Sequence, residues 1–361
     1  MHNPQPHPQA ADSAAPARPD VLNSPAPPVT QAEAEAVARR HFGITGTACN
    51  LASERDTNFH VVTEDGRGYA LKFANPAEPP QNTNFQTEAL LYLERIDPAL
   101  PVPKVVRALN GGHELMLPLS DGRQSVVRML TWVVGEQVAR VGVSAGLRRD
   151  IGATLARLGA ALSGFDHPAS GHDILWDIKN ATRLWAMTPS IAEPEMRARV
   201  EAELAHFDAE VAPRLAGLRQ QVIHNDMNHY NVVVEPALPD RVSGILDFGD
   251  MVKTALAIDV AVAASYLTGL EDDALACVTD IVTAYHAVTP LRREEVMLLR
   301  DLIVARLVTS ICITEWRAAR YPENAAYILR NNGPARRGMD RFAALPRATV
   351  TRHLAHACEL E

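Results

Sequence analysis

The sequence predicts an α+β chain of two lobes, a small β-rich N-terminal lobe followed by a larger, mainly helical C-terminal lobe. Three observations carry this. Short β-like runs cluster between Cys49 and Ala74 around an Asp65-Gly66 turn signal. From Ala145 onward, apolar residues recur at helical spacing. A single β-rich island, Gln221 to Phe248, interrupts those helices.

Residues 1–28 hold eight of the 25 prolines among Ala, Gln and Asn, without periodicity, and read as a disordered tail. The tail lacks the apolar stretch of a secretory signal and the repeated basic residues of a transit peptide. Its deletion up to Pro27 is expected to leave activity intact. Thr30 is placed to cap a helix over Gln31 to Phe42. Phe59 to Thr63 and Gly68 to Ala74 form a hairpin. In its second arm Tyr69, Leu71 and Phe73 point one way and Ala70, Lys72 and Ala74 the other. A helix starts at Thr83 or Asn84 and runs to about Ile96, with Phe85, Ala89, Leu93 and Ile96 on its core stripe and Glu88 beside it. Ser125 to Gly135 is a strand. Helices are expected over 145–163, 194–212, 256–269, 273–286 and 292–319. Two lobes of this kind imply a cleft between them.

The chain has 361 residues, with 35 Lys plus Arg against 43 Asp plus Glu, and 47% hydrophobic residues. A formal charge of −8 argues against a nucleic-acid partner, since phosphate neutralisation needs a basic surface. Residues 171–290 hold 18 Asp plus Glu against 8 Lys plus Arg, which suits a cationic small molecule, a metal ion or simply a solvated acidic face. Four scattered cysteines without a C-x-x-C pair give neither a disulfide framework nor a zinc site, so reduced thiols and a cytoplasmic location are expected. No apolar run reaches the roughly 18 residues of a membrane span.

The chemistry concentrates in the island. Val222-Ile223-His224-Asn225-Asp226-Met227-Asn228-His229-Tyr230-Asn231 is followed by Gly244-Ile245-Leu246-Asp247-Phe248-Gly249-Asp250, so two polar clusters each abut a short apolar run. Asp226 and Asn231 lie five apart across a loop, and Asp247 follows 16 residues later. This is the spacing of phosphoryl transfer, in which one Asp handles the hydroxyl proton while an Asn and a second Asp hold magnesium against nucleotide phosphates. Taken singly, either Asp would be a turn or cap residue.

These residues, with Ala70-Leu71-Lys72 and Glu88 upstream, resemble the aminoglycoside phosphotransferase and choline kinase superfamily, which has the protein-kinase-like fold, over roughly residues 30–330. Within it the motifs look most like hydroxylysine kinase-like phosphotransferases and the related kinase domains fused to class III aminotransferases. The resemblance implies a nucleotide-binding lobe over 29–135 and a helical lobe with catalytic loop and metal site over 136–361. It implies Asp226 as catalytic base, Asn231 and Asp247 as Mg²⁺ ligands, and Lys72 as the phosphate contact steered by Glu88 in an ion pair. His224 would brace the loop, and Asp259 would hold it through backbone hydrogen bonds. Ser53 to Phe59 takes the place of the phosphate-covering loop. It lacks glycines, so Ser53, Thr57 and Asn58 would meet the phosphates of ATP or GTP. Asn225 stands where the family has glycine, and Asn is the residue after Gly best suited to left-handed backbone angles.

The implied reaction is transfer of a γ-phosphate to the hydroxyl of an amine-bearing metabolite, best matched by 5-hydroxylysine. Homoserine, choline, ethanolamine and aminoglycosides are alternatives, as is a nucleotide-binding module without turnover. A partnership with an aminotransferase-type enzyme is a further expectation. For the acceptor, Trp176, Asp177 and Trp185 either form a cation-binding pair or sit in the core. Asp250 caps a following helix or meets a metal or the amine, Glu271 to Asp273 open a helix, and His229 faces solvent.

Overall fold

The computed structural model describes residues 24–53 and 55–361. The disorder expected for the tail therefore falls outside the described residues over positions 1–23. The first element, α1 (Gln31–Phe42), begins with a capping box: Thr30 accepts from the Glu33 amide and Glu33 accepts from the Thr30 amide. It ends at Gly43, whose φ of 69° makes the left-handed turn that glycine adopts without strain.

Strands β1 (Thr47–Leu51), β2 (Thr57–Val62) and β3 (Gly68–Phe73) follow as antiparallel neighbours. The hairpin turn uses Gly66 at φ 81°. Helix α2 (Pro80–Ile96) starts a turn earlier than expected, because Pro80 suits the first helical turn, where its missing N–H costs nothing. After β4 (Val105–Val106) and β5 (Leu115–Pro118), β6 (Gln124–Thr131) completes an antiparallel sheet ordered β1-β2-β3-β6-β4, with β5 also on β6. The strand ends at Thr131 rather than Gly135. Phe59, Leu71, Phe73 and Met129 form the small-lobe core with Ala34, Ala38 and Phe42 of α1. Phe85, Ala89 and Leu93 of α2 face the other way and join the core of the helical lobe, while Ile96 is 50% exposed.

A short β7 (Glu136–Gln137) leads to α3 (Ala145–Leu162), capped by Ser144. The helix expected over 194–212 is α4 (Pro194–His206), then a π turn at Phe207–Val211 and the short α5 (Ala212–Leu215), where Pro213 cannot continue the helix ladder. The island yields β8 (Gln220–Ile223), β9 (Val232–Glu235), β10 (Leu238–Ile245) and β11 (Val252–Ala255). Two small sheets result, β10-β9-β7 and β11-β8. Helices α6 (Leu256–Leu267), α7 (Ala274–Val288) and α8 (Arg293–Arg320) match their expected spans, and α7 is capped by Asp273. Three further helices close the chain: α9 (Ala325–Ile328), α10 (Asn332–Gly338) and α11 (Arg347–Ala357). Among the described residues no helix is long and apolar enough to cross a membrane.

Candidate active site

The loop between β8 and β9 carries Asp226 and is fixed from three sides. Asn225 adopts φ 63°, the left-handed angle anticipated from its sequence position. Fully buried Asp259, from α6, accepts the Asn225 amide at 2.8 Å and the His224 amide at 3.3 Å. His224 Nε2 donates to the Leu246 carbonyl at 3.1 Å, and its Nδ1 accepts the Asp226 amide at 3.3 Å. That pair of bonds needs the neutral Nε2–H ring, and burial lowers the His224 pKa in the same direction. The Leu246 amide in turn donates to the Asn231 carbonyl at 2.7 Å. Loop and downstream strand are thus one unit, held together by His224 and Asp259.

The Asp226 carboxylate accepts Asn228 Nδ2 at 2.9 Å and Asn231 Nδ2 at 2.8 Å on Oδ2. On Oδ1 it accepts the Tyr266 hydroxyl at 3.1 Å and Arg306 Nη2 at 3.1 Å. Burial raises its pKa and the Arg306 charge opposes that rise. Asn228, Tyr266 and Arg306 were not anticipated. An Asn two residues after an Asp is a local turn signal, and an arginine inside the apolar run Leu302-Ile303-Val304-Ala305-Arg306-Leu307-Val308 has to find a partner when buried. Arg306 also donates to the Trp176 carbonyl at 2.7 Å and lies over the Trp176 ring at 5.1 Å. Trp176 therefore lines the pocket beside Asp226. Asp177 is fully buried in an ion pair with Lys179 at 2.9 Å, and Trp185 bonds Asp208 away from the pocket.

A second cavity adjoins the first. Ser53, Asn58, Lys72, Asp226, Asn231 and Asp247 all line it. Asn58, Lys72 and Arg128 are paired in register across β2, β3 and β6, so three polar side chains form a row on the cleft face of the sheet. Lys72 Nζ lies 3.7 Å from Asp247, and the charge of this lysine, joined by that of Arg55, holds the Asp247 carboxyl down at about 2. Asp247 stands 56% exposed to the cleft with φ 54°.

Two expected members sit elsewhere. Glu88 is exposed and makes no ion pair with Lys72. Gln86 lines the cavity, and two residues along a helix turn about 200°, so Glu88 points to the opposite side. Buried Arg128, bonded to Gln86 and to Thr87 at 3.2 Å, occupies that part of the cavity wall. Thr57 faces the small-lobe core side of β2 and donates its hydroxyl to the Pro27 carbonyl at 2.7 Å; it does not line the cavity.

Asp250 precedes a strand rather than a helix, and pairs with Arg55 at 3.3 Å across the cleft. Burial, then the neighbouring Asp226 charge, pushes its pKa up to about 6. His229 is buried against Tyr230 and Tyr266 instead of facing solvent, and burial takes its pKa down to about 4.

The donor set suits a divalent cation. Among the described residues, the buried amide oxygens of Asn231 and Asn58 have no hydrogen-bond partner, and Asn231 shares its cavity with the Asp247 carboxylate. No cluster of three His, Cys, Asp or Glu side chains occurs among the described residues. Magnesium beside a nucleotide needs none, since it keeps waters and phosphate oxygens with one or two protein ligands.

Comparison with known proteins fits this geometry. Hydroxylysine kinase of Mus musculus is 27% identical over 326 residues, covering 84% of this chain and 86% of that protein. Homoserine kinase of Methylobacillus flagellatus is 28% identical over 254 residues, 66% of this chain and 70% of that one. A solved microcompartment-associated aminopropanol kinase shares the fold with a TM-score of 0.66 at 17% identity, covering 89% of this chain and 97% of its own. An amicoumacin kinase solved with AMP-PNP, Ca²⁺ and amicoumacin gives 0.63 at 14%, covering 84% and 91%. The model of the phosphotransferase enzyme family matches residues 47–296, from the start of β1 into the first turn of α8. A match over most of the length, spanning Asp226, Asn231 and Asp247 alike, places the chain in the phosphotransferase enzyme family.

Proposed function

We propose that this kinase moves the γ-phosphate of ATP or GTP to the hydroxyl of a small amine-bearing metabolite, with 5-hydroxylysine the leading acceptor. The observation that carries the reading is the position of Asp226, which lines both cavities and so stands where a donor phosphate and an acceptor hydroxyl would meet. In this proposal Asp226 takes the hydroxyl proton as the oxygen bonds to phosphorus and the nucleoside diphosphate leaves. Lys72, Arg128 and Asn58 orient the phosphates, and Ser53 approaches from the covering loop. Asn231 and Asp247 would hold Mg²⁺, which neutralises phosphate charge. The acceptor choice is supported by the similarity to hydroxylysine kinases along most of the chain. A cytoplasmic site of action and a partnership with an aminotransferase-type enzyme belong to the same proposal.

The test is magnesium-dependent phosphotransfer from ATP and from GTP to 5-hydroxylysine, homoserine, choline, ethanolamine and kanamycin, with Asp226→Asn as control. Selective turnover of 5-hydroxylysine, lost in the control, is expected. Nucleotide binding without turnover of any acceptor would favour a non-catalytic module instead.

A further inference from the structure

The acceptor cavity is more basic than the acidic stretch over 171–290 implies. Among the described residues its carboxylates are Asp226 and Asp250, but three guanidiniums, Arg306, Arg317 and Arg330, also line it. All three lie beyond residue 296, outside the segment that the family model matches. A polycationic acceptor would meet more positive than negative charge there, whereas a zwitterion would find both signs.

The three arginines are not equivalent. Arg306 is fully engaged with Asp226, Tyr266 and the Trp176 carbonyl. Arg317 is buried and has interactions of its own. Arg330 is half-buried and differs from both. Its guanidinium lies 3.9 Å from the centre of the Tyr327 ring and 5.2 Å from that of Tyr230. Among the described residues it makes no hydrogen bond and no ion pair. Aromatic contacts hold a guanidinium through its π faces and leave its in-plane N–H fork for a planar, two-oxygen anion. Arg330 lines the acceptor cavity as well as the nucleotide cleft, so it stands beside the reacting groups.

We infer that Arg330 is a specificity-determining residue that seats a carboxylate of the acceptor, which makes the acceptor a hydroxy-amino acid rather than an amino alcohol or an aminoglycoside. This rests on the kinase reading above and sharpens its substrate class. Asp250 lines the same cavity, and although it pairs with Arg55 at 3.3 Å it is the carboxylate there, besides the proposed base, that an acceptor ammonium would meet.

The experiment compares acceptors with and without the carboxylate: 5-hydroxylysine against 1,5-diaminopentan-2-ol, and homoserine against 3-aminopropan-1-ol. Steady-state constants are measured for the full chain and for Arg330→Gln and Arg330→Lys. For whichever amino acid the native enzyme uses, Arg330→Gln should raise its KM by about 10- to 100-fold, the weight of a charge-assisted bidentate contact. The nucleotide KM should change far less than that, the preference in kcat/KM for the amino acid over its decarboxylated partner should fall by a similar factor, and Arg330→Lys should fall between. A rise in the nucleotide KM instead would make Arg330 a phosphate contact and overturn the inference. Equal use of carboxylated and decarboxylated acceptors by the native enzyme would overturn it too. Turnover of choline, ethanolamine or kanamycin but of neither amino acid would overturn the carboxylate seat and leave the kinase reading standing, whereas nucleotide binding with no turnover of any of these acceptors would remove both.

Discussion

Arg306 donates from one nitrogen to both the Asp226 carboxylate, at 3.1 Å, and the Tyr266 hydroxyl, at 2.8 Å. The proposed base is therefore tied to the middle of α8, 80 residues downstream. Burial raises the Asp226 pKa and Arg306 opposes it, so removing the cation should raise it further. A carboxylate base works only when ionised, so the acid limb of kcat/KM in Arg306→Gln should move to higher pH. The loss relative to the native enzyme should be larger at about pH 6 than at about pH 8. Arg306→Lys, which keeps the charge, should restore part of the native profile. Breaking a buried ion pair should also cost about 3 kcal/mol of stability, read from denaturant unfolding.

Lys72 faces Asp247 while Glu88 faces solvent. Lys72→Met should reduce kcat/KM for the nucleotide by about 100-fold or more, whereas Glu88→Gln should stay within about twofold. A protein kinase-like Lys–Glu pair would instead make both substitutions severe. Asp247→Ala should abolish turnover together with the magnesium dependence of nucleotide binding, measured by titration calorimetry.

Asn75 joins the covering loop to the segment before α1. Its side-chain amide donates to the Arg55 carbonyl at 2.9 Å and to the Ser24 and Pro25 carbonyls at 3.3 Å each. Thr57 and Arg123 hold the same segment through the Pro27 and Pro25 carbonyls. Deletion through Asn23 should leave the nucleotide KM unchanged. Deletion through Pro28 should raise it by about 3- to 10-fold, because these four hydrogen bonds go with it. Cutting at Pro27 is thus no longer expected to be neutral.

Gly269 packs against the turn that opens α10; a Cβ there would lie 1.9 Å from the Pro334 carbonyl. Gly269→Ala should destabilise the protein by about 1 to 3 kcal/mol. Pro334 follows Arg330 by four residues, from the turn Leu329–Asn331 into the start of α10, so the acceptor KM should rise more than the nucleotide KM.

The motifs spanning Ile223 to Asp250 were legible because each rests on local chemistry: an Asn that tolerates positive φ, a histidine of fixed tautomer, a carboxylate accepting two backbone amides. Helix positions were legible from periodicity, as α6 and α8 illustrate. Glu88 was misplaced because strand-then-helix spacing does not give the rotation of α2 about its axis; that follows from which face meets the helical-lobe core. Thr57 was misplaced by the equivalent one-residue parity in β2. Arg306 and Arg330 reach the site through tertiary packing at separations of 80 and about 100 residues from Asp226, which no local pattern encodes, although a charge within an apolar helix signalled that Arg306 would need a partner.

Asn58, Lys72 and Arg128 stand on three neighbouring strands about 4.8 Å apart. Their spacing belongs to the ladder and not to any side chain, so the backbone acts as a ruler for whatever anion lies across it. A slip of one residue in β3 would turn Lys72 inward and bring Leu71 or Phe73 to the cleft face. Misfolding at that register would erase anion recognition in a single step, and a correctly folded sheet carries all three groups at once. Inserting a residue into either hairpin arm should therefore be far more damaging than any one substitution along the row.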